Sequence, residues 1–487
     1  MKQFQNNLAR CCRHLERHHW KPCHRLAWAG IIFLATGCAN YRQVPMQHAP
    51  EASQRIASKQ APRTDLLPSV VSKQASKPSR DMPVNLEGLI NWALEVNQGL
   101  QSSWEQWQAN LEAIPQASAL PDPMIRYGYF IREVETRVGP QQQRVGLAQT
   151  FPWFGKRALA TSMASEQAME AWSDYLMQKR NLIREVRSLW ADWEYLTEAT
   201  AITRDNIQLV RRLEQVAQAR LRSGKDALGV VQAQLTLARL EEQILALIDR
   251  KGPIQARLNG LINRPPDAEL PSFMASTPES TGDWEIIESE TAWAEHPRIL
   301  QKQAVIRRYE AATQLARKQR RPQFTLGLDL IQTDSTGNMN GSDMGKDPVM
   351  VSAMFNLPIW ERKNRAAVAQ AEAKEASARH ALVEAMNQLN ADRSKAQFAH
   401  SDAVRRQALH QDTLRPLAES ALQVAEQAYR TGQSTFQEWI NALQLLLELE
   451  LSQLRAQTDQ KLAHANLEQL LGTVPEARAL TPVNPTH

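Results

Sequence analysis

The segment Val216-Ala-Gln-Ala-Arg-Leu-Arg-Ser-Gly224 recurs 208 residues later as Val424-Ala-Glu-Gln-Ala-Tyr-Arg-Thr-Gly432. Two further pairs keep nearly the same offset: Thr-Phe-Pro-Trp-Phe-Gly-Lys-Arg at 150–157 with Asn-Leu-Pro-Ile-Trp-Glu-Arg at 356–362, and residues 258–266 with residues 467–475. Three matched pairs at nearly one offset are hard to obtain by chance. The sequence therefore predicts a tandem duplication, with a period far longer than that of solenoid repeats.

A long helix is predicted within each repeat. Residues 157–222 contain neither proline nor glycine, and at 1.5 Å per residue a helix of this length would be roughly 100 Å long. Apolar side chains and two threonines recur there at alternating steps of four and three, which predicts packing against other long helices. These positions are Leu182, Val186, Leu189, Trp193, Leu196, Thr200, Thr203, Ile207 and Val210. Gly224 and Gly432 are predicted to end the helices at reversals, each followed by a return helix.

Before each long helix the periodicity changes from helical to two. Ile125, Tyr127, Tyr129 and Ile131 alternate with small or polar residues within 124–132, and residues 145–151, 324–330 and 349–357 alternate in the same way. Short strands with one apolar face are typical of membrane-spanning barrels. A sheet lying on a soluble core is the alternative. The connections, residues 133–142 and 333–347, are polar, as suits loops at the mouth of a barrel.

The amino terminus is predicted to be an export signal, residues 1–37. Six Lys or Arg side chains and one acid precede a short apolar run that ends at Cys38, and this order describes a signal peptide. Ala35-Thr36-Gly37-Cys38 resembles the lipobox of bacterial lipoproteins, which implies an acylated Cys38; an ordinary signal cleavage nearby is the alternative. Residues 38–83, rich in Pro, Ser, Gln and Lys, are expected to form a lipidated tether that does not fold alone.

Charge and motifs exclude several classes of protein. The rest of the chain has 51 cations and 51 acids, so a nucleic-acid-binding surface is not expected. Fingerprints of hydrolases, zinc proteases and nucleotide-binding proteins do not occur, and the other three cysteines lie in the signal. We therefore expect no enzyme, no cofactor and no metal site. Five histidines on the predicted helices are expected to be solvated on helix surfaces: His296, His380, His400, His410 and His464.

Four strands cannot close a barrel, and open sheet edges are not tolerated in lipid. The predicted fold is mainly α with a small transmembrane β part: two tandem-duplicated long helical hairpins plus four β-strands per protomer, completed by three copies into a 12-stranded barrel and an α-helical tunnel. The first repeat is placed at 84–270, the second at 271–478 and a C-terminal tail at 479–487. Barrel and tunnel are expected to join at Pro152 and Pro358.

The order and duplication of these motifs resemble the TolC-like outer membrane factors, or outer membrane efflux proteins. The resemblance implies a passive homotrimeric exit duct, lipid-anchored in the outer membrane, that docks to a periplasmic adaptor and an inner-membrane pump of the resistance-nodulation-division (RND) type. The Phe-Pro-Trp-Phe-Gly-Lys-Arg form is reminiscent of members that accompany heavy-metal cation exporters, so metal cations or small toxic compounds are the expected cargo. A multidrug duct or a type I protein secretion duct of the same fold is the alternative.

The resemblance also implies roles for particular residues. The adaptor contacts would be the hairpin tips: Arg222, Ser223, Gly224, Arg430, Thr431 and Gly432. Glu438 and Asn441 would lie at the periplasmic constriction, where three Glu438 carboxylates could form a ring that attracts cations; a solvated helix carboxylate is the alternative. The barrel–tunnel junction would comprise Pro152, Trp153, Gly155, Pro358 and Trp360, the two tryptophans serving as interfacial anchors or packing at the corner.

Two readings of another class remain open. A periplasmic adaptor also has a long helical hairpin, but a single one, flanked by two halves of a lipoyl-like β domain. A structural coiled-coil protein of the envelope would leave the period-two segments without a role.

Overall fold

The computed structural model describes residues 85–136, 139–222, 227–270, 293–334 and 346–471, all within the unit that begins at Arg80. Cys38, the signal, the tether, Ser223 and Gly224 lie outside the described residues. The helices are α1 Leu86–Val96, α2 Gln98–Ser118, α3 Lys156–Arg222, α4 Ala227–Asp249, α5 Lys251–Leu261, α6 Pro297–Lys318, α7 Glu361–Leu409, α8 Arg415–Thr431 and α9 Phe436–Leu471. The strands are β1 Met124–Val134, β2 Gln141–Phe151, β3 Phe324–Thr333 and β4 Val349–Phe355.

Helix α3 runs for 67 residues without a break, as the absence of proline and glycine predicts. Of the nine positions predicted to face other helices, seven are buried, and Leu189 and Trp193 are half-buried. Helices α2, α4, α6 and α9 pack along α3. The long helix is thus stabilised by its neighbours over its whole length.

The second long helix contains a π turn, His410–Leu414, between α7 and α8. The Arg415 amide donates to the carbonyl of His410, five residues back. Pro416 follows in the first turn of α8, and because proline has no N–H it cannot bond to the carbonyl of Asp412 as an α-helix requires. Helix α3 of the first repeat contains no proline and has no such turn.

The four strands form one antiparallel sheet in the order β1-β2-β3-β4. The first predicted connection, 133–142, is too long by two residues at each end, because Val134 still pairs with Gln141. In the second connection, Thr333 belongs to β3, where it pairs with Gln141. Strand β4 ends at Phe355 rather than at residue 357. The side chain of the next residue, Asn356, accepts a hydrogen bond from the Gln323 amide at 2.6 Å.

Candidate functional site

One face of the sheet is apolar and uncovered in the single chain. Two rows of cross-strand partners run over all four strands: Ile125–Leu147–Leu328–Val351 and Tyr127–Val145–Leu330–Val349. Each of these eight side chains is 45–79% exposed in the single chain. A continuous apolar face of this kind marks a surface that meets lipid or another protein.

The opposite face carries charge. Asp329 on β3 is fully buried, and its Oδ2 accepts from Arg144 Nη2 at 2.8 Å and from Arg126 Nη2 at 3.2 Å. Register places Arg126, Gly146 and Asp329 in one row. A Cβ on Gly146 would lie 1.9 Å from Asp329 Oδ1, so only glycine leaves room for this carboxylate. The cluster ties β1, β2 and β3 together.

The predicted junction residues lie where strand gives way to helix. Gly155 has φ +79°, and a Cβ there would lie 2.2 Å from Lys318 Nζ, which itself donates to the Phe154 carbonyl at 3.3 Å. Pro152, Trp153 and Pro358 are half-buried. The left-handed backbone thus favours glycine at this turn, and the absence of a side chain leaves room for the Lys318 ammonium group.

Exposed apolar side chains surround this junction. Each is more than three-fifths exposed: Phe154, Phe355, Leu357, Ile359 and Trp360. The Trp360 side chain is 71% exposed, whereas Trp153 is half-buried and its ring centroid lies 6.0 Å from that of Phe154. The more exposed aromatic on the first side is thus Phe154 and not the predicted Trp153.

The tip of the second hairpin is a tightly bonded turn. Gly432 has φ +82° and ends α8, with the Gln433 amide donating to the Ala428 carbonyl at 2.8 Å and the Gly432 amide to the Tyr429 carbonyl at 3.1 Å. This is the Schellman pattern of a helix C-terminus. Arg430, Thr431 and Gly432 are exposed, and Arg430 pairs with Glu426 at 2.6 Å.

Helix α9 begins with a capping box. The Glu438 amide donates to Thr435 Oγ1 at 3.3 Å, and Glu438 Oε2 accepts from the Thr435 amide at 3.2 Å, as in the Thr-x-x-Glu signature. Glu438 and Asn441 are exposed, three residues apart on one side of the helix, and Asn441 accepts from Gln437 at 2.6 Å. The capping role of Glu438 was not expected from the sequence.

Arg220 joins the ends of the two long helices. Its guanidinium carbon lies 3.9 Å above the Tyr429 ring, and Nη2 donates to the carbonyls of Tyr429 and Arg430. Tyr429 also packs against Phe436 and Trp439, with ring centroids at 5.5 and 5.0 Å. The exposed Arg222 at the end of α3 therefore belongs to the same end of the molecule as the second tip.

The expectation of solvated histidines is wrong for four of the five. Only His380 is exposed; the others are half-buried because neighbouring helices cover them. His296 caps α6, its Nδ1 accepting from the Arg298 amide at 3.1 Å. Burial, with Arg180 and Arg298 nearby, lowers the pKa of His296 to about 4. Among the residues that the structure describes, no group of three or more His, Cys, Asp or Glu side chains is arranged to hold a metal ion.

The described helices include none that is both long enough and apolar enough to cross a membrane.

Comparisons with known proteins agree with this architecture. Residues 289–473 match the family model "outer membrane efflux protein". A comparison with curated proteins gave no match. Similar solved structures include a membrane protein from Pseudomonas aeruginosa (18% identity, TM-score 0.69, 80% of this chain and 93% of the other) and the outer membrane protein VceC from Vibrio cholerae (17%, 0.67, 80% and 96%). CusC, a structure described in terms of transmembrane channel formation, is similar over 85% of this chain and 98% of its own (15%, 0.69).

Proposed function

We propose that this chain, a TolC-like outer membrane protein that carries the outer membrane efflux protein domain, is the exit duct of a tripartite efflux system. It works as a passive channel-tunnel and not as an enzyme. A periplasmic adaptor docks to its hairpin tips, and an inner-membrane pump of the RND type supplies the energy.

The observation that carries the proposal is the four-stranded sheet with two free edges. Strand β1 has a partner only in β2, and β4 only in β3, among the described residues. The sheet is apolar outside and charged inside, which is the polarity of a water-filled membrane barrel. An edge in lipid must be paired, and β4 of one copy against β1 of the next repeats until the ring closes. Three copies give twelve strands.

The helices also carry an exposed apolar surface that neighbouring copies could cover. Several apolar side chains on α4 and α8 stay exposed in the single chain: Leu228, Val231, Leu235, Leu245, Leu417 and Val424. Apolar positions at such spacings on a long helix are typical of contacts with another helix. Neighbouring copies would cover them and extend the barrel into a helical tunnel.

Within this proposal, individual residues have the following roles. Arg222 and the exposed tip Arg430-Thr431-Gly432, with Ser223 and Gly224, would contact the adaptor. The Glu438 carboxylates of three copies would ring the periplasmic constriction beside Asn441. Cys38 would carry the lipid anchor. We propose heavy-metal cations or small toxic compounds as cargo.

The two readings of another class fit less well. An adaptor would have one hairpin between halves of a lipoyl-like domain, whereas the described residues form two long helical pairs and one four-stranded sheet. A structural coiled-coil protein of the envelope would not explain the exposed apolar face of the sheet.

Reconstitution in planar bilayers tests the proposal. Purified protein should produce stepwise conductance increases of one unit size, because each inserted trimer is one pore. Protein that binds vesicles without conducting, with or without an adaptor present, would argue against a duct.

A further inference from the structure

The charged row on the inner face of the sheet carries more positive than negative charge. Arg126 and Arg144 share the single carboxylate of Asp329. The other members of this row and of the next, including Gly146, Met350 and Gly327, are uncharged. Because arginine stays protonated in proteins, each copy contributes one uncompensated positive charge at this level.

Asp329 pairs more closely with Arg144 than with Arg126. The Arg144–Asp329 contact, at 2.8 Å, is shorter than the contacts of Arg126, at 3.2 and 3.4 Å. Arg126 remains 38% exposed although Asp329 is fully buried. The surplus charge therefore belongs mainly to Arg126, on the side of the sheet that faces away from the apolar rows.

Two hydrogen-bonding atoms beside this charge lack partners. Arg126 Nε and Ser352 Oγ are both buried, and neither bonds to a described residue. The side chains meet at Gly327: a Cβ there would lie 2.5 Å from Ser352 Oγ and 2.8 Å from Arg126 Nη2. Both distances are shorter than real Cβ contacts, so glycine at this position allows the Arg126 guanidinium and the Ser352 hydroxyl to lie against the β3 backbone.

We infer that the surplus positive charge of Arg126 lies on the inner wall of the barrel and attracts anions, and that the barrel passes anionic solutes in preference to cations. The inference rests on the proposed function, since it needs a closed lumen. Three copies place three such charges at one level, where the poorly polarisable wall strengthens their field. Among the proposed cargoes, small anionic compounds would then cross the barrel more readily than bare metal cations.

The reversal potential of the reconstituted pore in a KCl gradient tests this inference. Arg126→Gln removes the charge but keeps the shorter Arg144–Asp329 pair. We expect it to lower the ratio of chloride to potassium permeability about twofold. Met350→Gln is the matched control, because Met350 lies opposite Asp329 in the same row and the substitution changes no charge. Heat-resistant trimers on gels check assembly.

A second variant leaves both ion pairs intact. Met350→Glu adds a negative charge to the row and should also lower the ratio. Conducting pores whose ratio shifts no more in Arg126→Gln or Met350→Glu than in Met350→Gln would overturn the inference and leave the duct standing. A wild-type protein that makes no pore would overturn both.

Discussion

At the scale of single residues, Gly432 shows how the tip depends on backbone conformation. Its φ of +82° is left-handed, yet a Cβ would meet nothing within 4 Å. Gly432→Ala should therefore cost only the backbone strain, about 1 kcal/mol of unfolding free energy. The melting temperature in detergent measures the loss. Gly260→Ala is the control, because Gly260 lies within α5, has no positive φ and has equal space; it should be neutral or stabilising. Equal losses in both variants would contradict this view.

His296 predicts a dependence on pH. Its folded-state pKa, about 4, lies below the ordinary value of 6.5, so the unfolded chain binds the proton more readily. The stabilisation from neutral His296 is complete above about pH 6.5 and is lost as the pH falls towards 4. Protonation also removes the Nδ1 acceptor that caps α6.

The variant His296→Asn isolates this effect, since asparagine is a strong N-cap that does not titrate. We expect its melting temperature relative to wild type to rise as the pH is lowered from 7 to 4. A difference that stays constant over this range would show that His296 does not titrate as described.

At the scale of elements, the first turn of α9 combines a structural and a proposed electrostatic role. Glu438→Gln keeps the capping box, because glutamine also serves at this position, but removes the charge. If three carboxylates ring the constriction, the variant should need a several-fold higher concentration of divalent cation for block of the pore. Glu448→Gln, on the exposed side of the same helix, is the control. If the divalent-cation concentration needed for block is unchanged in Glu438→Gln, the proposed carboxylate ring is wrong and Glu438 only caps α9.

Elements with a regular period could be predicted from the sequence. The spacing of buried positions on α3 and the alternation in β1 to β4 are local properties of the sequence. These patterns predicted the positions of the long helix and of the four strands correctly. Strand ends were less accurate, because pairing such as Val134 with Gln141 depends on the partner strand.

Contacts between distant parts of the chain could not be predicted. Asp329 meets Arg144 and Arg126 across 185 and 203 residues, and no local pattern records that pairing. The only local signal for this pairing was Asp329 itself, a single acid in a strand of mostly apolar and small residues. The π turn likewise has a visible cause in Pro416, but the sequence alone does not say that the helix continues past it.

At the scale of the whole molecule, the apolar rows of the sheet should face lipid. Leu328 lies in the middle of β3 and is 53% exposed. Leu328→Arg should destabilise the membrane-inserted form by about 2–4 kcal/mol, the cost of a cation near the bilayer midplane, and reduce the yield of heat-resistant trimer from the membrane fraction. Leu328→Met should give the wild-type yield. If Leu328→Arg also does so, the face does not meet lipid.

The proposed barrel, tunnel and positive row all require closure by three copies. The mass of the detergent-solubilised particle, measured by sedimentation with the detergent contribution subtracted, tests it most directly. We expect three chains per particle and aggregation when detergent is withdrawn. A single chain per particle that stays in solution without detergent would contradict the duct.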